Sequence, residues 1–155
     1  MAQFEFGNMW NAFHKTDAFC ITTNSYIRND GEVVMGRGIA KQTKNLFEDL
    51  PLALGSKIKD RCGHLGTYGV LPTNRNENDK FVAFQVKTHF KNDATVSLIE
   101  NSAKILGTMA FKYQDKRFDL NFPGIGNGGL NQSQVKPVVE DLPQNVHVWR
   151  FKNQK

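Results

Sequence analysis

The chain has 155 residues, the size of one domain that can bury a core without disulfides or a structural metal. With 39% hydrophobic and 23% charged residues, its composition is that of an ordinary soluble globular protein. No apolar run approaches the ~18 residues of a membrane span, and the N-terminal stretch MAQFEFGNMW lacks the basic and apolar regions of a signal peptide. We therefore expect a single cytoplasmic domain covering residues 1–155, with no membrane partner.

The charge and the spacing of the cysteines and histidines bear on nucleic-acid binding and on metal binding. The formal net charge of +5 gives a mild attraction to polyanions, nucleotides included. Apart from the tail WRFKNQK, the basic residues are scattered, which favours a solvated basic surface over a dedicated nucleic-acid groove. Cys20 and Cys62 lack CxxC spacing, and His14, His64 and His147 have no spacing partners, so we predict no metal site. We also expect no cofactor.

The predicted elements begin with a short edge strand, QFEF, and a buried strand, DAFCITTN, from Asp17 to Asn24. After the turn signal NDG, a helix begins within VVMGRGIAKQ, with apolar residues at helical spacing. Pro51 suits the first turn of a second helix. The segments HLGTYGVLP and KFVAFQVK then read as two strands separated by the polar turn TNRNEND.

The clearest helix is predicted from Asp93 to Tyr113, after an Asn-Asp cap. The strand RFDLNF leads into PGIGNGGL, and a last helix from Ser133 to Leu142 precedes the strand NVHVWRF. The resulting order, β β α α β β α β α β, predicts an α/β fold. We expect a three-layer α/β/α sandwich on a mixed, mostly parallel sheet.

Two glycine-rich loops, MGRGIA and PGIGNGGL, each lie between a strand and a helix. In open α/β sheets, ligands bind beyond the carboxyl ends of the strands, where helix N-termini offer free N–H groups. Two such loops on one rim suit a diphosphate. For either loop alone, plain turn chemistry is the alternative, because glycine adopts positive φ without steric cost.

Strict nucleotide motifs do not fit these loops. The segment GEVVMGRG has the glycine spacing of a P-loop but lacks its Lys-Ser/Thr ending, which disfavours a Walker-type NTPase. The segment GIGNGG fits the dinucleotide fingerprint, yet it starts at Gly124 and leaves no room for the acidic strand end and the second half of that fold. A Rossmann oxidoreductase is therefore disfavoured as well.

Taken together, DAFCITTN, GEVVMGRGIAKQ, FPGIGNGGL and VKP resemble the macrodomain family, which binds ADP-ribose. The resemblance covers nearly the whole chain and implies a macrodomain-like fold. It implies that the partner is ADP-ribose or an ADP-ribosylated macromolecule, which includes ADP-ribosylated nucleic acid. It also implies that the protein is a monomer. It also implies that Asn24 faces the distal ribose and that Asn8 stands where many members carry an adenine-binding Asp. The two loops complete the implied ligand-binding set with Met35, Gly36, Arg37, Gly38, Ile39, Pro123, Gly124, Ile125, Gly126, Asn127, Gly128, Gly129 and Leu130.

The segment QVKTHFKNDATVSLIENSAKIL is most similar to the branch that includes acyl-ADP-ribose hydrolases and the antitoxins that strip ADP-ribose from DNA. This resemblance implies that Lys87, with Asn24, is catalytic. Such a lysine attacks the anomeric carbon of the opened distal ribose or stabilises charge as the glycosidic bond breaks. Attack needs a neutral amine, so burial or another cation would have to lower its pKa. Part of the branch adds an Asp in the second glycine loop, whereas GNGGLN has no acid, so that group is missing or supplied elsewhere.

Three functions stay open on the sequence alone. The first is hydrolysis of an ADP-ribosyl linkage, to nucleic acid, to an acidic side chain or as a 1''-phosphate. The second is binding without cleavage, which the absent loop acid and Asn8 favour. The third is a basic nucleic-acid-binding domain, which steep salt dependence would reveal. Lys87 could also be an ordinary solvated lysine, and Tyr26, Phe90 and Phe122 are the candidates for an aromatic that stacks on the ligand.

Overall fold

Within residues 1–151, which the computed structural model describes, six strands and four α-helices follow one another in the predicted order. The last four residues of the basic tail lie outside the described range. Two short 3₁₀ helices, Met9–Ala12 and Gly126–Gly128, are added to the predicted elements. The main elements are β1 (Gln3–Phe6), β2 (Ala18–Thr23), α1 (Gly38–Leu46), α2 (Leu50–Arg61), β3 (Val70–Pro72), β4 (Phe81–Gln85), α3 (Val96–Lys112), β5 (Phe118–Asn121), α4 (Gln132–Val139) and β6 (Val146–Arg150).

The strands form one mixed sheet in the order β1-β6-β5-β2-β4-β3. Only β3 runs antiparallel, against β4, and the other five strands are parallel. The prediction of a mixed, mostly parallel sheet is confirmed. Because parallel strands end on the same side, the segments that follow β2, β4, β5 and β6 meet at one edge of the sheet.

Helices cover both faces of the sheet and make the three predicted layers. Along β2, Phe19 and Ile21 pack in one apolar core with residues of α1 and α2. Cys20 points to the other face and packs with residues of α3 and α4. A strand buried on both faces reads as a continuous apolar run, which is why DAFCITTN was recognisable as a central strand.

The start of α3 corrects the sequence prediction. The helix begins at Val96 and not at Asp93, because Thr95 is its N-cap and accepts a hydrogen bond from the Leu98 N–H at 3.4 Å. Upstream of the cap, the Ala94 N–H donates to the Gly128 carbonyl at 2.8 Å and the Thr95 N–H to the Val86 carbonyl at 3.1 Å. These bonds hold residues 88–95 as a loop against the second glycine loop and the end of β4, which prevents an earlier helical turn.

Smaller differences concern the other helices. Helix α4 ends at Val139 and not at Leu142, whose N–H turns back to the Val139 carbonyl at 3.1 Å. Within the described residues, no helix combines the length and the apolar character that crossing a bilayer requires.

Candidate functional site

A cavity of about 640 Å³ opens at the carboxyl edge of the sheet, and both glycine loops line it. The structure thus brings together two segments that lie almost ninety residues apart in the chain. Asn24 and Lys87, from the ends of β2 and β4, line the same cavity. The loop residues in its wall are Gly36, Arg37, Gly38 and Ile39 from the first loop and Gly124, Ile125, Asn127 and Gly128 from the second.

The remaining predicted loop residues do not line the cavity, although they belong to the same two loops. Met35 is buried in the core on the side of α1 and α2, and Leu130 packs against the opposite core. Pro123 is buried in the second loop, whereas Gly126 and Gly129 are exposed.

Asn8 lies outside the cavity lining and has a local structural role. It is the N-cap of the 3₁₀ helix Met9–Ala12, and its Oδ1 accepts a hydrogen bond from the Trp10 N–H at 3.0 Å. A contact of Asn8 with adenine stays a prediction.

The first loop opens directly into the N-terminus of α1. Gly38 has φ of +59°, a left-handed conformation that favours glycine. The preceding residue, Arg37, is the extended N-cap and provides no side-chain cap. The first N–H groups of α1 therefore face the cavity without a helical or capping partner, and a helix N-terminus of this kind favours an anion.

The second loop needs glycine for steric reasons as well. Gly124 has φ of +80°, and a Cβ atom there would lie 2.6 Å from Cδ1 of Ile99 in α3. The loop closes through the Leu130 N–H, which donates to the Gly124 carbonyl at 2.9 Å. The positive φ angles therefore explain why residues 38 and 124 are glycines, and both loops still line the cavity.

Asn24 is almost completely buried and its carboxamide is fixed at both ends. Its Oδ1 accepts from the Tyr26 N–H, and its Nδ2 donates to the Val34 carbonyl, both at 2.9 Å. The side chain thus ties the end of β2 to the segment that enters the first glycine loop. One amide hydrogen and one oxygen lone pair remain for a ligand.

Lys87 is partly buried, and its ammonium group is held by the loop that precedes α3. Its Nζ donates to the carbonyls of Phe90 and Asn92, each at 3.1 Å. Burial lowers the pKa of Lys87 below its ordinary value; the Asp93 carboxylate opposes this, and the Arg37 guanidinium adds to it. The shift is in the direction that a nucleophilic lysine requires.

Arg37→Gln is expected to raise the pKa of Lys87, because it removes a cation that disfavours a second positive charge nearby. The measurement is a pH titration of the Lys87 side-chain NMR signal in the two proteins. Arg28→Gln is the matched control, since Arg28 pairs with Asp30 on an exposed turn and does not line the cavity. An unchanged Lys87 titration in Arg37→Gln would show that the two cations do not interact.

Of the three aromatic candidates, Phe90 and Phe122 line the cavity and Tyr26 does not. Tyr26 packs edge-on against His64, His89 and Phe90, with ring centroids 4.7–4.9 Å apart. Phe151 also lines the cavity and was not predicted from sequence. Its position directly after β6 was the available signal, because residues that follow parallel strands arrive at the same edge.

Polar residues that the sequence analysis did not select complete the cavity. At its floor, Asn121 Nδ2 donates to Thr22 Oγ1 at 2.7 Å, which links the ends of β5 and β2. The buried Thr23 hydroxyl has no hydrogen-bond partner among the described residues. Lys91, Asn92 and Asp93 line the wall beside Lys87; in the sequence, Asp93 was interpreted only as part of a helix cap.

No protein-family model matches the chain, and a search of curated proteins gives no match. Solved structures do match over nearly its full length. The macrodomain of Thermus aquaticus DarG is 25% identical with a TM-score of 0.72, and the match covers 98% of both chains. The macrodomain of Mycobacterium tuberculosis DarG is 22% identical with a TM-score of 0.70, over 96% of this chain and 97% of that one. Thermosipho africanus DarTG, in complex with ADP-ribose, is 21% identical with a TM-score of 0.73, over 97% of this chain and 42% of that one.

Proposed function

We propose that this chain is a macrodomain that binds ADP-ribose between its two glycine loops and hydrolyses an ADP-ribosyl linkage there. The observation that carries the proposal is the convergence of both loops, Asn24 and Lys87 on one cavity. The substrate is an ADP-ribosylated macromolecule, nucleic acid or protein, or ADP-ribose-1''-phosphate, which all present the same ADP-ribosyl group. The proposal keeps the sequence-based expectation of a cytoplasmic monomer.

Charge and size support a diphosphate ligand. Arg37 and the N-terminus of α1 line the cavity from the first loop, and Gly124, Ile125, Asn127 and Gly128 line it from the second. Backbone N–H groups at a helix N-terminus and a nearby guanidinium both stabilise phosphate oxygens. The volume of about 640 Å³ is within the ~300–1,000 Å³ of small-molecule sites.

Gly36 supports close approach of a ligand. Unlike Gly38 and Gly124, it does not have a left-handed φ, and a Cβ atom there would meet only Val34 Cγ1, at 3.9 Å. Neither the backbone nor the packing therefore requires glycine at this position. Because Gly36 lines the cavity, we infer that a side chain is absent there to leave room for the ligand.

The hydrolytic part of the proposal depends on Lys87 and Asn24. Asn24, fixed by its two hydrogen bonds, would orient the distal ribose, and Lys87 would act on its anomeric carbon. Positioning and electrostatic stabilisation then supply most of the rate, because the reaction develops positive charge on the ribose. Binding without catalysis is the second candidate, and the two carbonyl bonds of the Lys87 ammonium favour it, since they give the amine a structural role.

Titration calorimetry with ADP-ribose, ADP and NAD tests the proposed site. We expect selective binding of ADP-ribose, and a loss of affinity of about tenfold or more, equivalent to ~1.4 kcal/mol, in Gly36→Ala. Gly107→Ala is the matched control, because Gly107 lies in α3 and its added Cβ would meet only ordinary contacts at 3.5 Å or more. Both variants should melt no lower than the wild-type protein.

Absence of heat with all three ligands would contradict the proposal. Steeply salt-dependent binding of plain DNA or RNA without any ADP-ribose binding would instead favour the basic nucleic-acid-binding domain. Selective ADP-ribose binding without release of ADP-ribose from any modified macromolecule would favour the second candidate.

A further inference from the structure

We propose that Asp93 is the acid–base residue of this cavity and replaces the acid that the second glycine loop lacks. The proposal rests on the hydrolase function proposed above. Three observations carry it: where the carboxylate lies, what surrounds it, and what it does not bond to.

The Asp93 carboxylate lies directly against the second glycine loop. A Cβ atom at Gly129 would come within 2.7 Å of Asp93 Oδ1 and 2.8 Å of its Cγ. The carboxylate therefore occupies the space that a side chain at position 129 would fill. The neighbouring main chain fixes this arrangement, since the Ala94 N–H donates to the Gly128 carbonyl at 2.8 Å.

Asp93 is the only carboxylic acid among the described residues that line the cavity. The other charged residues in the lining are three cations: Arg37 from the start of α1, Lys87 after β4, and Lys91 from the same loop as Asp93. A carboxylate at a site for a diphosphate opposes ligand binding by charge repulsion. A role in catalysis therefore explains the Asp93 carboxylate better than a role in ligand affinity does.

The carboxylate is also available for chemistry. Within residues 1–151, Asp93 makes no side-chain hydrogen bond or ion pair. The N-cap of α3 is Thr95 and not Asp93. Its side chain is exposed and lines the cavity, and its charge acts on the Lys87 ammonium, which donates to the adjacent Asn92 carbonyl. A general base needs this freedom, because it has to accept a proton from water.

The reaction step can be written in full. Asp93 takes a proton from a water molecule while the water oxygen forms a bond to the anomeric carbon of the distal ribose. The glycosidic bond breaks, its electron pair leaves with the departing group, and a proton from Asp93 or from solvent neutralises that group. If Lys87 first replaces the departing group and forms a protonated imine with the opened ribose, the same water adds to the imine carbon and the π electron pair moves to the lysine nitrogen. Asp93 then returns its proton to that nitrogen and accepts the hydroxyl proton as the carbon–nitrogen bond breaks, which frees the Lys87 amine and leaves the ribose as an aldehyde that closes to its ring.

The test compares Asp93→Asn with Asp60→Asn, whose parent carboxylate is exposed on α2 and does not line the cavity. Single-turnover release of ADP-ribose from modified DNA and modified peptide is measured across pH, beside calorimetry with ADP-ribose. We expect Asp93→Asn to bind ADP-ribose at least as tightly as the wild-type protein and to release it about 10²–10⁴-fold more slowly. Formate should restore part of the rate in Asp93→Ala, and Asp60→Asn should behave as wild type.

Four outcomes overturn the proposal. A wild-type rate in Asp93→Asn removes the residue from the chemistry. A pH profile displaced to lower pH at an undiminished maximal rate would show that Asp93 only raises the pKa of Lys87. Loss of ADP-ribose binding together with a lower melting temperature would make Asp93 a support of the glycine loop. If the wild-type protein binds ADP-ribose but releases none from either substrate, the hydrolase function itself fails, and the Asp93 role with it.

Discussion

Lys87→Ala is expected to slow release of ADP-ribose by about 10³-fold or more, while the affinity for free ADP-ribose stays within a few-fold of wild type. The reason is the position of the amine, which is partly buried in the cavity wall, is fixed by two main-chain carbonyls and, in the proposed mode of binding, lies beside the distal ribose. Single-turnover kinetics and titration calorimetry measure the two quantities separately. A parallel loss of binding would count against a chemical role, because the lysine would then hold the loop or the ligand.

Lys87→Arg separates the two roles that the sequence left open. Arginine keeps the positive charge but does not provide a neutral amine at any ordinary pH. If Lys87 attacks the anomeric carbon, Lys87→Arg should be as inactive as Lys87→Ala, and borohydride should trap an adduct only in the wild-type protein. Substantial activity in Lys87→Arg would show instead that the lysine stabilises charge.

The expected pH dependence of the proposed hydrolysis follows from the same residue. As a nucleophile, Lys87 is active only when neutral, so the rate rises with pH through its pKa. Because burial lowers that pKa, the rise should come at lower pH than for a solvated lysine.

Gly55→Ala is expected to destabilise the fold by about 3 kcal/mol, the upper end of the range for overpacking a core. Gly55 is buried in the middle of α2, where an added Cβ would collide with the carbonyl oxygen of Gly31 and lie 3.1 Å from the carbon of that group. For a chain of this size, the loss corresponds to a fall of roughly 6–12 °C in the melting temperature. Thermal unfolding followed by circular dichroism measures it.

Gly107→Ala provides the control for this prediction. It makes the same change inside α3, where the nearest side-chain atom is 3.5 Å from the added Cβ, so it should stabilise the fold by ~0.5–1 kcal/mol. Equal melting temperatures for the two variants would contradict the close contact at Gly55. That contact matters to the site, because the Val33 N–H donates to the Pro51 carbonyl at 3.1 Å and the same segment continues into the first glycine loop.

Local sequence patterns were sufficient for most of the fold. The unbroken apolar run of DAFCITTN marked a strand buried on both faces, and Pro51 marked the first turn of α2. They failed at the start of α3, where both Asp93 and Thr95 are good capping residues. Two main-chain hydrogen bonds decided between them. The Ala94 N–H donates to Gly128, which is distant in the chain, and the Thr95 N–H donates to Val86, at the other end of the loop.

By itself, the sequence determined the order of the elements, the mixed parallel sheet and the two glycine loops between strands and helices. These features depend on periodicity and on local backbone preferences, which neighbouring residues carry. Only the tertiary structure decided which glycines relieve a steric contact, how burial and neighbouring charges act on Lys87, and that Asp93 and Phe151 line the same cavity. Each of these depends on residues that are far apart in the chain and meet at the carboxyl edge of the sheet, so no local pattern encodes them.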